Sequence, residues 1–301
     1  MSKRKHYRTL LEQRAGHIVP GVYDALSARI TEKAGFGIIG AGGFATVGSL
    51  LGGPDIGQSN MRDYAEHYGR ICAAVDVPVT VDADTGFGDV HNVTQMVRAF
   101  ERAGVVGIMI SDQSFPNRCG YLPGKEIVPV EEMLAKVMAA VAARTDPDLV
   151  IIARTDAKAD HGLDEALARC RLFIEAGADV AKPQGVDTPA DIRRTIAEVP
   201  GPHPATLSQA ALNRHADIAD LRALGVATIS LPSLGLFAAA GAVNGVMADL
   251  YRSQSLATVE PRLLPLAEYN AIVRLDERMA EEEALREEAQ RIATTATLKQ
   301  A

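Results

Sequence analysis

Eight short apolar runs, each followed by a stretch with helical periodicity, constrain this chain more than any other feature. The runs cover residues 17–20, 37–40, 78–82, 105–110, 149–154, 180–183, 204–207 and 227–231. Between them, Val93, Met96, Val97 and Phe100 fall at i, i+3, i+4 and i+7, and Leu163, Ala166, Leu167 and Cys170 repeat that spacing. Thr188-Pro189 reads as an N-cap followed by Pro at the first helical position. Ala34-Gly35, Ala103-Gly104, Ala176-Gly177 and Leu224-Gly225 each stand where a helix would close before the next strand. Strand and helix alternating through short loops predict a parallel sheet, and eight such units predict an α/β fold of the (β/α)8 TIM-barrel type. An open doubly wound sheet is the alternative, but no Gly-x-Gly-x-x-Gly turn follows the first run.

After the eighth run comes an apolar helical region, residues 236–251, then a break at Glu260-Pro261. A Glu- and Arg-rich helical stretch follows at 266–291, in which Ile272, Leu275 and Met279 supply one docking face. Residues 292–301 read as frayed. The organisation expected is one barrel domain, 1–255, with a C-terminal helical appendage, 256–301. Net charge is −7 with no basic stripe, which argues against nucleic acid as a partner. No apolar run approaches the ~18 residues of a membrane span, and no signal-peptide core follows the basic Met1 to Tyr7 segment. A cytoplasmic enzyme is the expectation. Cys72 and Cys170 sit in apolar helical contexts and read as small core fillers, whereas Cys119 lies in a loop.

In such a barrel the chemistry collects at the C-terminal ends of the strands. The third run passes straight into Asp82-Ala83-Asp84-Thr85-Gly86, and in an extended segment Asp82 and Asp84 would point the same way. Paired carboxylates repel unless a cation neutralises them, and hard oxygen ligands suit Mg²⁺ (or Mn²⁺). Asp89 reads as a helix cap, and Asp55, taken alone, as a turn former. Arg154, directly after the buried fifth run, calls for an anion: Asp156, Asp82, or a ligand carboxylate or phosphate. Lys182-Pro183-Gln184 and Thr206-Leu207-Ser208-Gln209 are polar strand ends of unspecified role. His91, His161, His203 and His215 read as solvated. Gly40-Ala41-Gly42-Gly43 is either an anion cradle of backbone N–H groups or a simple tight turn. Cys119 stands between Arg118 and Gly120, and a neighbouring cation favours thiolate, so it is a candidate acid, base or nucleophile.

These segments together resemble the isocitrate lyase/phosphoenolpyruvate mutase superfamily, most closely its 2-methylisocitrate lyase-like branch, from about residue 19 to 251. The resemblance is carried by Pro20-Gly21-Val22-Tyr23-Asp24-Ala25, Gly53-Pro54-Asp55-Ile56-Gly57, Val81-Asp82-Ala83-Asp84-Thr85-Gly86-Phe87-Gly88, Arg118-Cys119-Gly120, Ile152-Ala153-Arg154-Thr155-Asp156 and Gly162-Leu163-Asp164-Glu165-Ala166. It implies a Mg²⁺-dependent barrel whose C-terminal helix is exchanged between subunits of a homotetramer. It further implies that Asp82 binds the metal directly, with Asp55 and Asp84 holding metal-bound waters. Arg154 would then bind a substrate carboxylate, and Cys119, on a gating loop, would protonate the carbanion left by C–C cleavage. Tyr121 joins it as a catalytic candidate, and Gly42, Gly43, Arg118, Gly120, Gln184, Thr206 and Ser208 as substrate-binding candidates.

The chain departs from the family pattern at several of these places. Asn117 replaces a Lys, Tyr121 a His, Ser111 a Glu, Gln184 a Glu and Thr206 an Asn. Gly40 and Gly42 stand where an aromatic and a Ser are usual, and Phe237 falls near the place of an Arg. The resemblance therefore implies a Mg²⁺-dependent lyase that cleaves a 2-hydroxy di- or tricarboxylate to a 2-oxo acid and a carboxylate. Its substrate would be smaller or less charged than methylisocitrate. The alternatives are a phosphonopyruvate or 2-oxo acid mutase, hydrolase or decarboxylase of the same superfamily, or a non-catalytic ligand-binding barrel.

Overall fold

The structure, a computed structural model, describes residues 1–208 and 216–298. In chain order its first elements are α1 (Lys3–Gln13), β1 (His17–Pro20), α2 (Ala25–Lys33), β2 (Ile39–Ala41), α3 (Gly43–Leu51), α4 (Met61–Ala74) and β3 (Val79–Asp82). Then come α5 (Val90–Ala103), β4 (Gly107–Ser111), α6 (Val130–Ala143), β5 (Val150–Thr155), α7 (Lys158–Glu175) and β6 (Val180–Pro183). The series closes with α8 (Pro189–Glu198), β7 (Pro204–Thr206), α9 (Ile218–Ala223), β8 (Thr228–Leu231) and α10 (Leu234–Ser253). All ladders are parallel, in two sheets of order β2-β3-β4-β5-β6 and β1-β8-β7. A bridge between Gly21 and Gly40, with the Val22 N–H donating to the Gly40 carbonyl at 2.8 Å, links β1 to β2. The order 7-8-1-2-3-4-5-6 is the cyclic order of an α/β barrel; among the described residues β6 and β7 share no ladder.

The helices form where the apolar spacing placed them. In α5, Val93, Met96, Val97 and Phe100 are all fully buried, a stripe contributing roughly 1.5–3 kcal/mol per large side chain. Phe100 meets Tyr68 edge-on, with ring centroids 5.3 Å apart. Asp89 caps this helix through the Val90 N–H at 2.7 Å, as its sequence context predicted. Gly104, in the left-handed region at φ 94°, closes it. The Thr188 hydroxyl caps α8 through the Asp191 N–H at 3.1 Å.

Helix α1 is an addition to the sequence reading. Its only deeply buried side chains are Tyr7 and Leu11, one turn apart, and they join Val19, Val106, Val150 and Ala227 in a cluster. Arg4 donates to the Val105 and Glu101 carbonyls and to Asp146 (2.9 Å), and Arg8 to the Leu149 carbonyl and Asp179. The basic N-terminal segment thus ties a plug onto the N-terminal ends of the strands. The opposite ends stay available for chemistry.

Residues 242–301 form a second compact unit, with the end of α10, α11 (Leu266–Ile272) and α12 (Leu275–Leu298). Within it Arg262 pairs with Asp249 at 2.7 Å. Leu275 and Met279, read as part of a docking face, are exposed within the single chain. Two expectations change here. Helix α12 continues through residue 298, so the stretch from 292 is helical rather than frayed, because no Gly or Pro breaks it; residues 299–301 lie outside those described. By length and composition, α10 is one helix long and apolar enough to cross a membrane, although Asn244, Asp249 and Arg252 interrupt it. The sequence reading had found no such run, because those polar residues break it up.

Candidate active site

Every residue singled out as catalytic, metal-binding or substrate-binding lines one cavity of about 310 Å³. The cavity reaches from the C-terminal strand ends down the bore to Tyr7 of α1.

On one side lie the carboxylates. Asp82 is the last residue of β3, but the chain does not continue extended: Asp84 sits in the left-handed region at φ 48°. The two carboxylates converge because the backbone turns, with the Asp84 N–H donating to Asp82 Oδ1 at 3.1 Å, and not through strand alternation. Gly43, the first residue of α3, presents its N–H to Asp82 Oδ2 at 3.4 Å. A Cβ on Gly43 would lie 2.9 Å from Asp84 Oδ1, so only glycine lets the helix start come this close. The glycine-rich turn is therefore a cradle, but the anion it faces is the protein's own Asp82, stabilised by the positive end of α3. Asp55 is buried and its Oδ1 has no hydrogen-bond partner among the described residues. Burial, then Asp82, push the Asp55 carboxyl up to about 6. Burial, then Asp82 and Asp55, push Asp84 well above the usual carboxylate range, while Tyr64 and Asn117 hold it back.

Crowded oxygen donors, an orphaned buried carboxylate oxygen and mutual repulsion are what a hard divalent cation relieves, so this donor set fits Mg²⁺. Among the described residues, no three His, Cys, Asp or Glu side chains form a ready cage. Mg²⁺ does not need one, since it keeps several waters and takes one or two carboxylates directly.

Arg154, on β5, meets the anion its position called for. Its Nη2 lies 2.8 Å from Asp156 Oδ1, and its Nε is buried with no partner among the described residues. Burial works against an ionised Asp156, but Arg154, together with Gln113 and Ser111, outweighs it and holds that carboxyl below its usual range. The Ser111 hydroxyl donates to Asp156 Oδ2 at 3.1 Å, so the residue standing in place of the family's Glu supports the arginine's counter-ion. Asp112 is structural. It is fully buried and accepts from the Thr155 hydroxyl (2.6 Å), the Asp156 N–H (2.9 Å) and Arg169 (3.2 Å). Lys182, whose role the sequence left open, lines the same cavity; burial and then Arg154 push its amine down to about 8.

The Cys119 loop is pinned over this arrangement. The Gln113 side chain accepts from the Arg118 N–H (2.9 Å) and donates to the Arg118 carbonyl (3.0 Å). The Cys119 N–H donates to the Asp55 carbonyl at 3.1 Å, joining the two loops. Arg118 does not act on the thiol as expected: its guanidinium turns to the Pro123 carbonyl at 3.3 Å. Burial pushes the Cys119 thiol up, the Tyr121 backbone and Arg154 pull it down, and Asp55 pushes it up again, with a net rise. Cys119 is thus a protonated thiol, suited to donate a proton rather than to attack.

The remaining positions complete the walls. Tyr121 faces Ser208, and burial raises its phenol. Thr206 Oγ1 is buried and has no partner among the described residues. Phe237 packs edge-on to Phe44, with centroids 5.6 Å apart, giving an apolar wall where the family pattern has an Arg. His91 and His161 are exposed, as read, but His203 is buried with Nε2 donating to the Val199 carbonyl at 2.9 Å. That correction follows from long-range packing, because β7 starts immediately after His203 and draws it inward. Gln209 and His215 lie outside the described residues.

Residues 7–251 match the family model described as phosphoenolpyruvate phosphomutase. The chain belongs to the phosphoenolpyruvate mutase/isocitrate lyase superfamily. It is 34% identical over 276 residues to 2,3-dimethylmalate lyase of Eubacterium barkeri, covering 92% of this chain and 96% of that protein. It is 34% identical over 266 residues to 2-methylisocitrate lyase of Aeropyrum pernix, covering 88% and 85%. Among solved structures it resembles oxaloacetate acetylhydrolase in complex with 3,3-difluorooxalacetate, with TM-score 0.88, 28% identity and 94% and 97% coverage. It also resembles phosphonopyruvate hydrolase in complex with oxalate and Mg²⁺, with TM-score 0.83, 33% identity and 94% and 99% coverage. The expected superfamily and its α/β barrel class stand, as does the reading of an enzyme of the carbon–carbon lyase class.

Proposed function

We propose that this superfamily member is a Mg²⁺-dependent lyase that cleaves a 2-hydroxy di- or tricarboxylate, of 2-alkylmalate or methylisocitrate type, into a 2-oxo acid and a carboxylate. One observation carries this reading: a protonated thiol, an arginine with a free buried N–H and a carboxylate cluster share one cavity. The likeness to 2,3-dimethylmalate lyase supports it.

Asp82 would hold the cation, with Asp55 and Asp84 beside it; when bound, Mg²⁺ (or Mn²⁺) supplies Lewis-acid polarisation of the substrate's oxygens. Arg154 offers its free Nε–H to a substrate carboxylate, and Asp156 with Ser111 fixes the guanidinium for that task. On cleavage the substrate hydroxyl would give its proton to a carboxylate of the cluster, its oxygen becoming the carbonyl of the 2-oxo acid as the C–C bond breaks, and the bonding pair passes to the carbon of the departing carboxylate. The Cys119 Sγ–H protonates that carbon. Tyr121, Gly120, Arg118, Gln184, Ser208, Gly42 and Gly43 line the remaining space, and closure of the Cys119 loop would exclude water.

The test is 2-oxo acid release from a panel of 2-alkylmalates, methylisocitrate and oxaloacetate with Mg²⁺. Turnover in wild type that disappears in Cys119→Ala is the expected result; full activity in that variant would refute the role of the thiol. Hydrolysis of a 2-oxo dicarboxylate in the same cavity is the second reading, supported by the likeness to oxaloacetate acetylhydrolase. Acetate release from oxaloacetate alone would favour it.

Assembly and location belong to the same proposal. Exposed apolar side chains of the C-terminal unit, among them Val243, Met247, Leu266, Leu285 and Ile292, support a homotetramer that exchanges residues 256–301. Light scattering giving the mass of one chain would exclude it. The metabolic character of the relatives supports a cytoplasmic location, which cell fractionation checks.

A further inference from the structure

The wall formed by β5, β6 and β7 carries donor groups that the lyase scheme leaves unused. Arg154 and Lys182 are register partners on adjacent parallel strands, so their side chains project from the same face, and both line the cavity. The Lys182 ammonium has no hydrogen-bond or ion-pair partner among the described residues. Its long-range electrostatic neighbours are Arg154, Asp82, Asp156 and Asp187. Thr206, at the end of β7, adds a buried hydroxyl that likewise has no partner. These groups flank the β6–β7 seam, where among the described residues the strands share no ladder, and a second, small cavity of about 20 Å³ opens there beside Lys182, Thr206, Tyr121 and Gln184.

Below this level the bore mixes Val19, Met109 and Ile152 with Thr80, Thr228 and Tyr7. Lys182 is half-buried in the cavity wall, and a cation there with no counter-ion among the described residues is placed to meet an anion that enters. Arg154 cannot supply that anion, and its own counter-ion, Asp156, is already engaged by Arg154 and Ser111. The cation is therefore arranged for something that enters the cavity. The carboxylate cluster and the loop thiol give a 2-hydroxy acid its reacting end, so the Lys182 side of the cavity receives the other end.

We propose that Lys182, with Thr206, recognises the distal carboxylate of a dicarboxylate substrate and so sets the site's preference for diacids over monoacids. The proposal rests on the reading of this cavity as a 2-hydroxy acid site.

The test compares malate with 2-hydroxybutyrate, which has the same chain length but a methyl in place of the distal carboxylate, by calorimetry on the full chain with Mg²⁺. Wild type should bind malate roughly 10- to 100-fold more tightly, the range expected for one charge-assisted contact out of water. Lys182→Met keeps the apolar stem; it should erase that preference while leaving 2-hydroxybutyrate and Mg²⁺ affinities within about twofold of wild type. Lys182→Arg should restore part of it. Thermal unfolding of Lys182→Met should show no loss of stability, because the variant removes a charge that pairs with no protein anion among the described residues. A preference for malate that survives in Lys182→Met overturns the proposal. So does an equal loss for both ligands, or a changed Mg²⁺ affinity, either of which would make Lys182 a structural counter-charge to the carboxylates. Wild type binding neither ligand would count against the 2-hydroxy acid site itself, whereas binding both equally would overturn only the role of Lys182.

Discussion

The backbone at Gly120 rests so close to Arg154 that a Cβ there would lie 2.4 Å from the guanidinium Nη2. The same Cβ would meet the Gln184 side chain at 3.0 Å. Arg154 cannot simply withdraw, because that nitrogen is held by Asp156 at 2.8 Å. Gly120→Ala should therefore displace either the loop or the arginine, lowering kcat/KM about tenfold or more, equivalent to at least ~1.4 kcal/mol of lost transition-state stabilisation. The melting temperature should change little, since the strain falls on a surface loop. Steady-state kinetics at wild-type level would show that the loop does not close on Arg154 in solution.

Cys119 should behave as an acid and not as a nucleophile. Burial keeps its thiol protonated beyond the range of an ordinary cysteine. Alkylation by iodoacetamide should thus be slow at neutral pH and accelerate only at more alkaline pH than for free cysteine. Cys119→Ser, whose hydroxyl is a far weaker acid, should lower kcat about 10²- to 10⁴-fold with Mg²⁺ binding unchanged. Rapid alkylation at pH 7 would contradict the protonated thiol.

What the sequence made legible and what it hid divide along a physical line. Helix α5 was readable because four apolar residues at one spacing leave no other way to bury them. Asp82, Asp84, Arg154 and Cys119 were readable because they stand at or after strand ends, which a barrel brings together. Asp55, after α3, read alone as a turn former and joined them only through the family resemblance. Helix α1 was not, since Tyr7 and Leu11 are two apolar side chains in a segment rich in Lys and Arg, and its anchors are contacts with Val105, Asp146 and Asp179, far away in the chain. The environment of Cys119 was misread for the same reason. Its sequence neighbour Arg118 turns away, and the charges it feels are those of Asp55 and then Arg154, across the cavity. Which way a side chain turns, and how deeply it is buried, depends on packing between segments distant in sequence.

The carboxylate cluster makes stability depend on metal and on pH together. In the metal-free protein the Asp55 carboxyl is raised from 3.8 to about 6. The folded state then binds a proton more tightly than the unfolded state, so this contribution is complete below the unfolded value and is lost as pH rises through about 6. The loss by pH 7 is about 3 kcal/mol at this site. With EDTA present, stability should fall between pH 4 and 7 by this amount relative to Asp55→Asn. Mg²⁺ at pH 7 should restore it in wild type and do much less for the variant. An equal rise in melting temperature with Mg²⁺ in both proteins would show that Asp55 takes no part in holding the metal.

His203 acts on stability with the opposite sign. Its ring is buried, its Nε2–H donates to the Val199 carbonyl at 2.9 Å, and its Nδ1 has no partner among the described residues. Burial, opposed by that hydrogen bond and reinforced by Arg14, lowers it from 6.5 to about 4. Here the unfolded state binds the proton more tightly. The contribution is therefore complete above pH 6.5 and is lost as pH falls toward 4, amounting to about 3 kcal/mol once both states are charged. His203→Gln should lose some stability at pH 7, where a fitted ring and its hydrogen bond are removed, yet show a shallower decline between pH 6.5 and 4. Urea unfolding at stepped pH reads both effects. A wild-type decline no steeper than that of the variant would mean that His203 is already solvated in the folded protein, and that the end of α8 is looser than its hydrogen bonding shows.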